Sequence, residues 1–166
     1  MTKWVYDFSE GNAEMRNLLG DKGVNLAEMT NLGIPIPKGF TITTEACKQY
    51  WLDKKGVNKE IKNQINEYII KLEKETQKKF GDRENPLLVS VRNSSCIAVS
   101  GMMKTISNIG LNEEIVNSIA KKLNNPYYAW DNYKRFIEDY ATIIMRLPKE
   151  NFEKIVDMIK KRKKTC

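Results

Sequence analysis

One short run does most to limit what this chain can fold into. Asn85-Pro86 announces Leu87-Leu88-Val89-Ser90-Val91, an apolar, β-branched run that reads as a buried strand. The long segments around it carry apolar residues at helical rather than alternating spacing. The expected class is therefore α+β: a small sheet from Trp4–Phe8, Phe40–Thr43 and Leu87–Val91, covered by about six helices. The same stretch is the part most suited to meet a ligand. Arg92 ends the strand, and small polar residues lead to Gly101-Met102-Met103-Lys104-Thr105. Open α/β layers place ligands at the C-terminal ends of strands, where a permanently charged guanidinium suits a phosphate oxygen. An Arg at that position could equally cap a helix or pair with a carboxylate.

Upstream, Leu18-Leu19-Gly20-Asp21-Lys22-Gly23 leads into a helix in which Leu26, Met29 and Leu32 share a face, with Gly33 at its C′ position. A Gly-Lys-Gly neighbourhood opening a helix can bring backbone N–H groups and an ammonium to a phosphate. It is not a Walker A loop, because no Ser or Thr follows Lys22 and the glycine spacing differs. Ile34-Pro35-Ile36-Pro37 reads as an extended connector, and Thr44 as the cap of a short helix reaching about Lys54.

Asn58 to Lys79 is the clearest helix. Ile61, Ile65, Ile69, Leu72 and Thr76 form its stripe, and Glu67–Lys71 has the favourable i,i+4 orientation on its charged face. Beyond Thr105 the pattern reads as wholly helical. Asn112 caps one helix, Pro126 opens the next with Tyr133, Phe136, Ile137, Tyr140 and Ile144 as its stripe, and Pro148 precedes a last helix marked by Phe152, Ile155, Val156 and Ile159. The helical period of these aromatics favours core packing over a base-stacking platform.

Composition removes several classes of function. No run of 18 apolar residues exists to span a membrane, and an acid follows the N-terminus too soon for a signal peptide. Three scattered cysteines and no histidine leave neither a disulfide framework nor a zinc site, which points to a reducing cytoplasm. The net charge of +7 invites a nucleic-acid reading, but Lys160 to Lys164 supply five of those charges, leaving +2 for the remainder. The chain is thus read as a single domain, 1–166, with a solvated basic tail at 160–166.

The order of segments carries a further signal. Lys3-Trp4-Val5-Tyr6, Asn17 to Met29, Gly39-Phe40-Thr41-Ile42-Thr43-Thr44-Glu45-Ala46-Cys47, Leu87 to Arg92 and Gly101 to Thr105 together resemble the N-terminal region of the pyruvate, phosphate dikinase family. The resemblance runs along essentially the whole chain, in order. It implies the first part of an ATP-grasp nucleotide-binding domain. Lys22 and Arg92 match the family positions that contact the ATP phosphates, and Gly101 and Thr105 match the loop over them. The chain departs from the family pattern at Asp21 (usually Gly), Cys96 (usually Arg), Ser100 (usually Pro) and Lys104 (usually Asp). Losing an Arg removes a bidentate phosphate contact that Cys cannot replace.

The resemblance also implies that the acidic metal ligands, the phosphohistidine domain and the pyruvate site lie outside this chain, which has no catalytic residue of its own. Two readings follow. The first is a nucleotide-binding module that takes ATP weakly, with any Mg²⁺ held by no ligands of this chain. The second is a non-enzymatic interaction or inhibitor protein, of the kind phages encode, docking a protein or nucleoprotein through an apolar patch at Ile97, Val99, Met102 and Met103. Neither involves a membrane. Whether the chain acts as an enzyme stays open at this level.

Overall fold

The computed structural model describes residues 2–54, 56–93 and 105–164. These fall into two units, one drawn from residues 2–78 and the other from 79–93 with 105–164. The class is α+β, as expected, with six α-helices among the described residues. The strands do not form one sheet, however. Among the described residues there are two separate two-stranded antiparallel sheets.

In the first unit, β1 (Val5–Asp7) pairs with β2 (Phe40–Ile42) in the register Val5 to Ile42, Tyr6 to Thr41 and Asp7 to Phe40. Helix α1 (Arg16–Asn31) packs on β2 and on α2 (Thr44–Leu52), while α3 (Lys59–Thr76) packs on β1. Val5 is fully buried and Thr43 nearly so. Thr43, not Thr44, caps α2: its Oγ1 accepts the Ala46 N–H at 3.2 Å, and its own N–H donates to the Trp4 carbonyl at 2.9 Å. The polar cap can be buried because both of its backbone-directed groups are satisfied.

The α3 stripe behaves as its period demands, with Ile61 and Leu72 buried and Ile65 and Ile69 half-buried. Polar contacts fasten this helix to β1. The Gln64 amide spans the strand start, accepting the Trp4 N–H at 2.7 Å and donating to the Thr2 carbonyl at 2.8 Å. Lys71 does not pair with Glu67. Its ammonium reaches Asp7 at 2.8 Å, with Glu75 at 3.7 Å, because the β1 carboxylate is closer to the buried side of the helix than a neighbour on the exposed face. Tyr68 donates to Glu10 at 2.8 Å, and Lys3 closes the group on Glu10 at 2.6 Å.

Burial pushes the Asp7 carboxyl up, but hydrogen bonds from Lys71 and Ser9 outweigh it and hold the group below its usual range. Glu10 is lowered in the same way, against burial, by Lys3, the Asp7 N–H and Tyr68. A carboxylate lowered in the folded state contributes stability above its unfolded pKa and loses it as pH falls through the folded value. Acid unfolding monitored by circular dichroism should therefore show stability falling below about pH 4. Lys71→Met should flatten that fall by removing the contact that most lowers Asp7.

The second unit is built on the hairpin β3 (Val89–Arg92) and β4 (Thr105–Ile109). Two expectations are corrected here. Thr105–Ile109 is a strand, so the chain beyond Thr105 is not wholly helical. The Leu87–Val91 run is not a buried strand either: Leu87 is buried, but the strand proper starts at Val89 and Val91 is 55% exposed. A two-stranded ribbon has neighbours on one edge only, and apolar composition alone does not reveal how many strands lie alongside. The ladder slips between Val89–Ile109 and Val91–Ile106, placing one extra residue in β4. Asn108, at φ 60°, takes up the bulge, and its amide donates to Asn132 of α5 at 3.3 Å.

Helices α4 (Glu113–Lys122) and α5 (Pro126–Asp139) close this unit around Leu111, Ile115, Val116, Ala120 and Ala129, with Leu88, Ile119, Tyr133 and Phe136 against them. Asn112 and Pro126 start the two helices where the sequence placed them. The rest of the α5 stripe, Ile137, Tyr140 and Ile144, is exposed, and a π-helical turn over Tyr140–Ile144 shifts its phase. Helix α6 (Lys149–Lys164) likewise leaves Ile155 and Ile159 exposed. No helix among the described residues is long and apolar enough to cross a membrane. Ile115 and Val116 are the fully buried centre of the unit. Ile115→Ala should cost about 2–5 kcal/mol in urea unfolding, because it opens a cavity among side chains fixed by two helices.

Candidate phosphate-binding site

Helix α1 is not one helix in its backbone. Gly20 has φ 69° and ψ 170°, a conformation open to glycine and not to L side chains, so the chain turns out of one short helical segment and starts another. Asp21, Lys22 and Gly23 therefore open the helical segment that follows the break. The Asn17 carbonyl beside the break accepts the Thr44 hydroxyl at 2.7 Å, which ties the turn to α2.

The face α1 buries differs from the one its apolar residues suggested. Leu32 is 75% exposed and Met29 lies at the surface, whereas Leu19, Gly20, Gly23, Val24 and Ala27 are buried. Glycine and alanine are buried there because β2 and the Gly11 loop come so close. A Cβ on Gly23 would lie 2.9 Å from the Thr41 methyl, and one on Gly11 would lie 2.8 Å from the Ala27 methyl. The Asn31 amide secures the loop by donating to the Gly11 carbonyl at 2.9 Å.

Lys22 is consequently carried on a turn whose inner face is locked against the sheet. It is half-buried, and among the described residues it has no ion-pair or hydrogen-bond partner. Its neighbour Asp21 pairs with Arg16 at 3.1 Å across the Gly20 break. Sequence reasoning missed Arg16. Five positions along a continuous helix turn a side chain by about 140°, so Arg16 and Asp21 meet only because Gly20 interrupts the helix.

In the other unit, Arg92 is exposed and stands opposite Thr105 as the last rung of the β3–β4 ladder. These two sequence candidates are thus brought together, at the rung where the connection 93–104 leaves and returns. Gly101 and the apolar candidates Ile97, Val99, Met102 and Met103 lie outside the described residues. A groove of about 600 Å³ opens beside β1 and α3, lined among others by Lys3, Lys59, Glu60, Gln64, Glu67 and Tyr68. Lys22 is not among its walls, and its two glutamates do not favour an anion. Among the described residues no group of three or more His, Cys, Asp or Glu side chains could hold a metal ion.

Comparison with known proteins now bears on this turn. The family described as pyruvate phosphate dikinase, AMP/ATP-binding domain, matches residues 16–68, which run from Arg16 through the Gly20 break into α3. A pyruvate, phosphate dikinase of Clostridium symbiosum is 56% identical over 163 residues, covering 98% of this chain and 19% of its own length. The Rickettsia typhi dikinase is 44% identical over 95% of the chain and 18% of its own length. A chloroplastic dikinase of Flaveria trinervia is 39% identical over 93% of the chain. The chain is thus similar to the N-terminal region of the pyruvate, phosphate dikinases, with the AMP/ATP-binding family model matching part of it. It spans about one fifth of the length of these dikinases.

The AMP/ATP-binding family model covers Lys22, whereas Arg92 falls only within the longer dikinase alignment, so the Gly20–Gly23 turn is the part of the candidate site best placed for test. Gly20→Ala should lose about 1–3 kcal/mol in thermal unfolding, since alanine cannot take φ 69° and ψ 170° without strain. Gly23→Ala should also destabilise, by forcing Thr41 away from α1. A stability change below the error of the measurement in both variants would mean that the turn is not held as described.

Proposed function

We propose that this chain is a nucleotide-binding module that takes the phosphates of ATP on the Gly20–Gly23 turn. One observation carries the reading: the dikinase AMP/ATP-binding match covers a glycine-broken helix whose Lys22 ammonium has no partner among the described residues. The start of a helical segment and an ammonium beside it attract an anion together. The resemblance names Arg92, Gly101 and Thr105 as further candidate phosphate contacts. Mg²⁺ enters with the nucleotide, with no ligand from this chain among the described residues. The sequence contains no histidine, so a phosphohistidine relay has no acceptor within it. It works in the cytoplasm.

Titration calorimetry with ATP and magnesium tests this. Binding should be weak, because an open turn encloses little of the ligand. Lys22→Ala and Arg92→Ala should each raise Kd by about tenfold or more, as expected for a charge-assisted hydrogen bond. Lys160→Ala should leave it within about twofold, since an exposed tail charge is screened. Equal effects from all three would mean non-specific attraction of an anion to a basic protein.

A second reading, docking of a protein partner, is supported by the exposed apolar side chains Ile155, Met158 and Ile159 on α6. Co-sedimentation with and without Ile155→Asp and Ile159→Asp would favour it if complex formation is lost while ATP binding is kept.

A further inference from the structure

We propose that Thr44 is a positioning residue for Lys22: together with Thr41 it sets the angle at which the chain breaks at Gly20. The inference rests on the nucleotide reading of the Gly20–Gly23 turn and adds to it the residues that hold the turn in shape. Two contacts flank the break. Before it, the Asn17 carbonyl accepts the Thr44 hydroxyl at 2.7 Å. After it, Gly23 lies so close to Thr41 that a Cβ there would stand 2.9 Å from the Thr41 methyl and 3.1 Å from its Oγ1. Both partners come from one stretch, Thr41-Ile42-Thr43-Thr44, where β2 passes into α2. The middle of that stretch is fixed. Thr43 is buried, its Oγ1 accepts the Ala46 N–H, and its own N–H donates to the Trp4 carbonyl.

A break at glycine needs contacts of this kind. Without a Cβ, Gly20 has many backbone conformations open to it, so its own sterics do not select φ 69° and ψ 170°. The selection falls to whatever holds the two arms. Leu19, buried against the Gly11 loop, gives the first arm an apolar hold, but apolar burial has no direction. The Arg16–Asp21 pair spans the break with both side chains largely exposed, and such pairs contribute little. The Thr44 hydroxyl supplies a directed bond from a neighbouring helix, and it is available for this because Thr43 already caps α2. Thr41 holds the second arm at Gly23, the residue after Lys22. When the first arm is loosened, the break angle varies, and Lys22 meets the phosphates in a spread of orientations rather than one.

The test separates position from stability. Thr44→Val and Thr44→Ala remove the hydroxyl, the first keeping the shape of the side chain, and Thr44→Ser keeps the hydroxyl. Ile61→Val, in the buried face of α3, is the control for a general loss of stability. Calorimetry with ATP and magnesium reads Kd, thermal unfolding reads Tm, and hydrogen exchange reads the amides of residues 18–24. Thr44→Val and Thr44→Ala should each raise Kd by about three- to tenfold, the range over which one hydrogen bond acts, and should speed exchange over 18–24. Thr44→Ser should return both towards wild type, and Ile61→Val should lower Tm while moving neither. If Ile61→Val raises Kd as much as Thr44→Val does, the hydroxyl acts through stability alone and the proposal is overturned. It is overturned as well if Thr44→Ser behaves like Thr44→Val. If the Thr44 variants leave Kd unchanged while Lys22→Ala raises it, the positioning role is wrong and the nucleotide site stands. If Lys22→Ala itself leaves Kd unchanged, the nucleotide reading fails and the positioning role falls with it.

Discussion

The close approach of α1 to β2 is the contact on which the candidate site depends. Gly23 and Thr41 touch at a distance no larger residue permits, and Gly20, three positions earlier, breaks the helix so that this contact can form. The two glycines are coupled by geometry. Without the break, Arg16–Leu19 would continue on the axis of the later segment and Leu19 would not reach the Gly11 loop. Without the close approach, nothing would hold Asp21 and Lys22 in a first turn aimed away from the sheet. Flexible residues thus produce a rigid turn, because the surrounding side chains fill the space that each missing Cβ leaves.

The hairpin in the second unit solves a similar problem by another device. A strand ending in an Arg needs its last rung oriented, and two strands alone twist freely. The extra residue in β4, with Asn108 in the left-handed region, fixes the local twist, and the Asn108–Asn132 contact anchors it to α5. Behind that helix lies the Ile115–Val116 core, so the Arg92–Thr105 rung is supported by packing that the ribbon could not supply alone.

Sequence reasoning was strong where a single local signal suffices. Asn58, Asn112 and Pro126 each start a helix as their chemistry requires, and the α3 stripe follows from its period. It was weak where the outcome depends on a distant partner. Thr44 and Thr43 are equal candidates for a cap until Trp4 takes the N–H of Thr43. Glu67 and Lys71 form a sound helical pair until Asp7 offers a closer carboxylate. The α1 face was misjudged because size was used as a guide to burial, whereas a helix pressed against a sheet buries its smallest residues. Lys22 and Arg92 were legible as residues, and so was the chemistry of a Gly-Lys-Gly turn. The Arg16–Asp21 pair was not, since its spacing is silent until the backbone break is known.

Helices α5 and α6 mark the limit of periodicity as evidence. Ile137, Tyr140 and Ile144 in one, and Ile155 and Ile159 in the other, repeat at the spacing of a buried stripe, yet all are exposed. The pattern reports that a face is apolar and continuous. It does not report whether another element covers it. The ion pair between Lys149 and Glu153 at 3.8 Å supports α6 along its polar side, and a helix of 16 residues is long enough for local propensity to matter. The exposed stripe on α6 remains apolar surface that any docked element would remove from water.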